Sequence, residues 1–148
     1  MVHDNMTIRE RALGFLARRE YTRNELARRL APYTEDEAEI AALLDDFQQR
    51  GWLSEQRFVE QVVHARSSKY GSRQITHELR QKGVSEEAIA TALPQLKESD
   101  LETARAVWEK KFGQPPEDAK ARAKQMRFLI SRGFGMDVIL KVLRQEQD

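Results

Sequence analysis

The sequence predicts an all-α protein built from three tandem three-helix, helix-turn-helix-like repeats that form an elongated, curved array. Three observations predict it. The first is a pattern that recurs about every fifty residues. Shifted by 49 places, Tyr21, Leu26, Leu30, Ile40 and Leu44 fall on Tyr70, Ile75, Leu79, Ile89 and Leu93. Shifted by 50, Leu79, Gly83, Ile89 and Leu93 fall on Leu129, Gly133, Ile139 and Leu143. The second is the punctuation, which consists almost entirely of helix starts and stops. The third is apolar spacing of i, i+4 with no strand-like alternation. A repeat of this length marks supersecondary units laid side by side, an architecture that offers long surfaces rather than a buried catalytic pocket.

The elements follow in order. Thr7 and Glu10 form a capping box, in which a hydroxyl and a carboxylate satisfy free amides at a helix start, and this opens a helix over about 8–19. Thr22/Glu25 opens one over 23–31, and Thr34/Glu37 one over 35–50, which Gly51 ends. A fourth helix spans 55–69 and a fifth 73–82, stopped by Gly83. Ser85, followed by Glu86 and Glu87, starts a helix over 86–93, since acids favour the positive end of the helix. Ser99/Glu102 opens 100–112, stopped by Gly113. Pro116, with Glu117 and Asp118, opens 117–132, stopped by Gly133, and a ninth helix covers 136–146.

The nine group in threes, as units 1–53, 54–97 and 98–148, with joints near Gly51–Ser54 and Leu96–Ser99. Within them Leu26/Leu30, Ile40/Leu44, Ile75/Leu79, Ile89/Leu93 and Ile139/Leu143 share helix faces and, with Leu129, are predicted to be core. Phe15, Phe47, Phe58, Trp108, Phe112, Phe128 and Phe134 supply bulk. Units this small have small cores, so neighbours must support one another.

Composition bounds the function. The chain has 148 residues, 40% hydrophobic and 33% charged, against the roughly 25% charged of an average domain. Much of the surface is therefore charged helix face. The net charge is only +1, so bulk charge implies no partner. Absence of cysteine excludes disulfides and thiol metal sites. The start, Met1-Val-His-Asp-Asn5, has no basic apolar leader, and no apolar run reaches the length of a membrane span. A cytoplasmic setting is expected, with no membrane association.

Charge is unevenly placed. Residues 18–29 hold Arg18, Arg19, Arg23, Arg28 and Arg29 against Glu20 and Glu25, whereas the third helix of the first unit carries Glu35, Asp36, Glu37, Glu39, Asp45 and Asp46. Residues 66–82 hold Arg66, Lys69, Arg73, Arg80 and Lys82 against Glu78. Residues 120–132 hold Lys120, Arg122, Lys124, Arg127 and Arg132 with no acid. On the middle second helix Ile75 and Leu79 face one side, while Arg73, His77 and Arg80 line the other. Asn24 and Arg28 occupy the positions equivalent to Arg73 and His77, and Lys120, Lys124 and Arg127 form a similar stripe in the third unit. Such stripes suit a phosphate backbone or an acidic protein groove; they equally suit a solvated helix face.

Other candidates point to structure. His3, His64 and His77 lack ligand spacing, so no metal is expected. Gly133-Phe134-Gly135 reads as a helix stop rather than a nucleotide-binding loop. No nucleophile–base–acid set is visible, so no enzyme and no cofactor are expected. Trp108 and Phe112 read as core, and Tyr21 and Tyr70 as turn anchors.

One stretch carries a specific signature. Arg57-Phe58, then Arg66, then Tyr70-Gly71-x-Arg73-x-Ile75-x-x-Glu78-Leu79-x-x-Lys82-Gly83-Val84 resembles the signature region of the RecX family. Ala12-Leu13 to Leu16, Tyr21-Thr-Arg-x-Glu25-Leu26, Gly51-Trp52-Leu53 and Arg132-Gly133-Phe134 also look like their family counterparts, so the resemblance spans 8–146. The third unit departs at Gln125, where an apolar residue is expected opposite Ile75. The resemblance implies tandem three-helix units that associate with the RecA recombinase filament on single-stranded DNA. It implies inhibition of RecA's ATPase, strand-exchange and coprotease activities, and so modulation of recombinational DNA repair and the SOS response. A monomer without cofactors is expected. The contact residues would then be Arg28, Arg57, Arg66, Lys69, Arg73, His77, Arg80, Lys82, Lys120, Lys124 and Arg127. Two other readings stand beside it: a direct DNA-binding helical protein, and a helical-repeat adaptor with no link to nucleic acid.

Overall fold

A computed structural model describes residues 5–145. His3 and Glu146, both used in the reading above, lie outside them. Among the described residues there are eight α-helices, one short 3-10 turn and no strand. The helices are α1 Ile8–Leu16, α2 Arg23–Leu30, α3 Glu37–Gln49, α4 Glu55–Arg66, α5 Ser72–Gln81, α6 Glu86–Lys111, α7 Ala119–Ser131 and α8 Met136–Leu143; Ala31–Tyr33 is the 3-10 turn.

The predicted caps hold at three places. Thr7/Glu10 and Thr22/Glu25 make reciprocal capping boxes, and the Ser85 hydroxyl accepts the Ala88 amide. Three starts differ. The carboxylate of Asp36, not Thr34, accepts the Ala38 and Glu39 amides, and the Thr34 hydroxyl accepts the amide of Asp36 instead. Asp118 caps α7, so the proline start at Pro116 lies one short turn too early. Ser99 caps nothing; its hydroxyl donates to the Leu96 carbonyl inside α6. The two helices predicted over 86–93 and 100–112 are thus one continuous helix with Pro94 in its interior, and the expected joint at Leu96–Ser99 does not interrupt the chain.

The physical reason lies in the apolar phase. Ile89, Leu93, Leu96, Leu101, Ala104 and Trp108 follow at helical spacing straight through the proline, all buried or half-buried. Pro94 itself is exposed. A proline inside a helix costs about 3 kcal/mol, and burying each large apolar side chain returns about 1.5–3 kcal/mol. Continuity therefore wins.

Contacts gather the described chain into two compact units, one running through Gln61 with Lys82–Val84, the other comprising Val62–Gln81 and the residues from Ser85 on. The first unit closes on Ile8, Ala12, Tyr21, Leu26, Leu30, Ile40, Leu44, Phe47 and Leu53. Tyr21 is buried, with the Arg19 guanidinium 3.6 Å from its ring centre and the Phe15 ring at 5.9 Å, so it packs as predicted. The second unit closes on Leu101, Ala104, Trp108, Leu129, Phe134, Ile139, Val142 and Leu143; Ile75, Leu79, Ile89 and Leu96 are buried as well.

One joint occurs in both units at the spacing of the repeat. In the first, the turn at Lys82–Gly83 meets the start of α2. The Thr22 hydroxyl donates to the Lys82 carbonyl at 2.5 Å, and Gly83 (φ 91°) leaves room for Asn24. In the second, fifty residues on, the turn at Arg132–Gly133 meets the start of α5. The Gly71 amide donates to the Arg132 carbonyl at 2.7 Å, and the Arg73 amide to the Gly133 carbonyl at 3.1 Å. Gly133 has φ 97°, and a Cβ there would lie 2.5 Å from Gln74 Cβ. Gly133-Phe134-Gly135 is thus a helix stop, as predicted, and also the acceptor that fixes α5.

Candidate functional site: the cationic helix faces

The helix α5 is positioned at its first turn. Beyond the two amides given to the Gly133 turn, a buried carboxylate from α6 caps it. Asp100 accepts the Ser72 amide at 2.9 Å and the Ser72 hydroxyl at 2.5 Å. Burial pushes the Asp100 carboxyl above its usual range, aided by Asp137, although both Ser72 bonds and Lys97 pull the other way. With its start pinned, α5 buries Ile75 and Leu79 and exposes Arg73, His77 and Arg80, the two faces the spacing predicts.

The predicted cations fall into two groups. Four are held by acids. Arg57 pairs with Glu20 at 2.8 Å and donates to the Gly51 carbonyl at 2.7 Å, closing the turn between α3 and α4. Arg66 pairs with Glu78 at 3.1 Å, Arg80 with Glu86 at 2.6 Å, and Lys82 with Glu25 at 3.4 Å. The Glu86 carboxylate raises the Arg80 pKa, and the guanidinium lowers that of Glu86. Burial pushes Glu25 up, but the Thr22 amide, Arg19 and Lys82 outweigh it and hold that carboxyl below its usual range. The second group is Arg28, Lys69, Arg73, Lys120, Lys124 and Arg127, all exposed and without an ion pair among the described residues. Lys120, Lys124 and Arg127 share one face of α7, and Arg28 lies on α2 with Asn24.

Within the second unit, Arg73, His77 and Arg80 come together on one wall of an open groove of about 510 Å³. Its other walls are Leu93, Lys97 and Asp100 from α6 and Gly135, Asp137 and Val138 at the start of α8. Sequence reasoning missed Lys97, Asp100 and Asp137. Leu93, Lys97 and Asp100 sit at i, i+4, i+7, so they share a face only once α6 is known to be unbroken. Tyr70 is half-buried, 5.4 Å from the Arg132 guanidinium.

Gln125, the departure from the apolar pattern, is buried and satisfied. Its carbonyl accepts the Trp108 indole at 2.8 Å, and its amide donates to the Gln114 carbonyl at 3.1 Å. Among the described residues no three His, Asp or Glu side chains gather as metal ligands, and no helix is long and apolar enough to cross a membrane.

These features define an all-helical repeat protein that presents charged helix faces on a framework of three-helix domains. Comparison with known proteins gives the family. Residues 54–93 match the model of the RecX second three-helix domain, and 98–143 that of the third. The chain is 50% identical to the regulatory protein RecX of Leptothrix cholodnii over 94% of its own length and 88% of that protein's. With the Chromobacterium violaceum protein of the same name it shares 45% identity, over 97% and 93%. The crystal structure of RecX from Lactobacillus salivarius superposes with a TM-score of 0.77 at 20% identity, over 93% of each chain, and so shows the shared fold. The chain belongs to the RecX family of regulatory proteins.

Proposed function

We propose that this chain regulates the RecA recombinase: it binds the RecA filament on single-stranded DNA and inhibits ATPase, strand exchange and coprotease activity, in the cytoplasm, as a monomer without a cofactor. The reading takes residues 1–53, 54–97 and 98–148 as its three repeat units. Family membership supports the partner. The observation that carries the contact face is the recurrence of exposed cations opposite the buried stripe of successive second helices, Arg28 on α2, Arg73 on α5 and Lys120, Lys124 and Arg127 on α7. Because Arg57, Arg66, Arg80 and Lys82 are held by acids, their charge is partly spent within the fold, and the unpaired six carry more of the attraction.

The test is RecA ATPase on single-stranded DNA, with and without this protein. Inhibition is expected, weakening as salt rises. The triple variant R73E/K124E/R127E should fold normally and lose most of its inhibition, since attraction becomes like-charge repulsion. If the wild-type chain leaves the ATPase unchanged, the reading is wrong. If it inhibits and the triple variant inhibits equally well, these faces are solvated surface. Tight, steeply salt-dependent binding to DNA alone would favour direct DNA binding instead.

A further inference from the structure

We infer that Arg132 is a positioning residue: its guanidinium clamps the turn before α5 to α7 and so sets the spacing of the two cationic faces, without itself touching a partner. The inference deepens the proposed function, on which it rests for the activity that the spacing serves; the clamp itself rests on geometry.

By sequence Arg132 is one more cation of residues 120–132. The structure sets it apart. Lys120, Lys124 and Arg127 are exposed, whereas Arg132 is half-buried. Its guanidinium carbon lies 5.4 Å from the centre of the Tyr70 ring and 5.2 Å from that of Phe128, and both of these residues are half-buried too. No carboxylate pairs with it among the described residues. A planar, weakly hydrated guanidinium suits a place against two rings. Phe128 is braced in turn, by the Phe112 ring set edge-on at 5.4 Å and by the Lys111 ammonium at 5.6 Å. Tyr70 directly precedes the start of α5, and the Arg132 carbonyl accepts the Gly71 amide at 2.7 Å. One residue therefore holds that start twice, through its backbone and through its side chain.

The repeat supplies independent support. Fifty residues earlier the same position is Lys82. Its carbonyl accepts the Thr22 hydroxyl before α2, and its ammonium pairs with Glu25 on α2 at 3.4 Å. In both joints the residue that lends its carbonyl also sends its side chain back to the helix start it holds. The holding chemistry differs, an ion pair at α2 and aromatic rings at α5. What recurs is the position and its direction. The cation at this position therefore serves the joint, and the exposed cations on either side of it, Arg73 on α5 and Lys124 and Arg127 on α7, are what it keeps in register.

The test uses the full isotope-labelled chain. In wild type the Arg132 Nε proton should resonate upfield of that of Arg127, an exposed arginine of the same helix, because two ring currents act on it. It should move back in Tyr70→Leu and in Phe128→Leu. Arg132→Ala should need about tenfold more protein for half-inhibition of the RecA ATPase, the size of two lost ring contacts. Tyr70→Leu and Phe128→Leu keep the arginine and should lose inhibition comparably, while Tyr70→Phe, which keeps the ring, should restore it. Arg132→Ala combined with Tyr70→Leu should lose no more than Arg132→Ala alone, since both act through one contact. Circular dichroism checks that each variant is folded, and the wild-type proton shift needs no variant. An arginine that met the partner directly would keep inhibiting once its rings were removed. Full inhibition by the two leucine variants, or an Arg132 proton that coincides with that of Arg127, would overturn the inference. The two readings fail separately. Wild-type protein that shows the upfield proton but leaves the RecA ATPase unchanged sinks the proposed function and leaves the clamp. Wild-type protein that inhibits RecA, with leucine variants that inhibit equally well, sinks only the positioning role.

Discussion

Replacing Gly133 by alanine tests whether the joint at the start of α5 holds the second unit together. Two effects add. At φ 97° an L side chain is strained, at about 1–2 kcal/mol. The new Cβ would also sit 2.5 Å from Gln74 Cβ and 2.6 Å from its amide nitrogen, so the backbone of α5 must move away. That movement strains or breaks the hydrogen bonds from Gly71 and Arg73 to the turn, each contributing about 0.5–1.5 kcal/mol. Together the loss is about 2–5 kcal/mol. Gly113→Ala is the control in the same unit. There φ is 69°, and the new Cβ meets only Glu109, its carbonyl at 3.2 Å and its carboxylate at 3.7 Å. Strain remains without a joint, partly offset because alanine also restricts the unfolded chain, and the loss should be about 0.5–1.5 kcal/mol. Urea unfolding of both variants, followed by circular dichroism, gives the difference. If Gly133→Ala loses no more than Gly113→Ala, the joint contributes nothing and the repeated contact is incidental.

Three further outcomes follow from the packing and the titrating groups. Leu79→Ala, at a position with no solvent exposure, should cost about 2–5 kcal/mol; a loss under about 0.5 kcal/mol in urea unfolding would show that this face is not core. Gln125→Leu restores the apolar residue of the repeat but strands the Trp108 indole, so it should destabilise by about 1–3 kcal/mol; a stabilised variant would show that the polar pair is dispensable. Asp100→Asn tests the buried cap through pH. The Asp100 pKa is raised on folding, so its protonation favours the folded state, fully so below the unfolded value of 3.8 and no longer above the folded one. Asparagine cannot gain this way, so wild type should improve relative to Asp100→Asn between pH 7 and pH 4. A constant gap, or one moving the other way, would contradict burial as the dominant influence on that carboxyl.

Local chemistry explains which parts of the fold were legible. The capping boxes at Thr7 and Thr22, the Ser85 cap and the glycine stops need only residues within one turn of each other, and all are present as predicted. The same locality misled at α6. The Ser99-x-x-Glu102 box is a strong nearby signal for a new helix start, but the deciding quantity is a buried face that keeps its phase over 26 residues. Asp36 and Asp118 displaced the expected caps because a carboxylate one or two residues away competes for the same amides. The cap on α5 was invisible because Asp100 lies 28 residues from Ser72. The cationic stripe of α5 could be read from helical spacing alone; which cations were already held by acids could not, since Glu20 and Arg57 meet across 37 residues and Glu25 and Lys82 across 57.

The joint and the cationic faces belong to one device. The turn that leaves the second helix of one repeat gives its carbonyls to the start of the second helix of the repeat before it. Lys82 accepts from Thr22 at α2, and Arg132 and Gly133 accept from Gly71 and Arg73 at α5. Arg73 stands in both roles: its amide is held by the Gly133 carbonyl, and its exposed side chain begins the stripe and lines the groove. The backbone bond fixes where that guanidinium can start from, so the cationic face of α5 inherits its register from the stacking of repeats and not from the helix alone. This gives a physical reason for glycine at 83 and 133. Only a residue without a Cβ lets the turn come close enough to the next helix start to hold it. Loosening that contact should therefore disturb binding at α5 even where no charge has been changed.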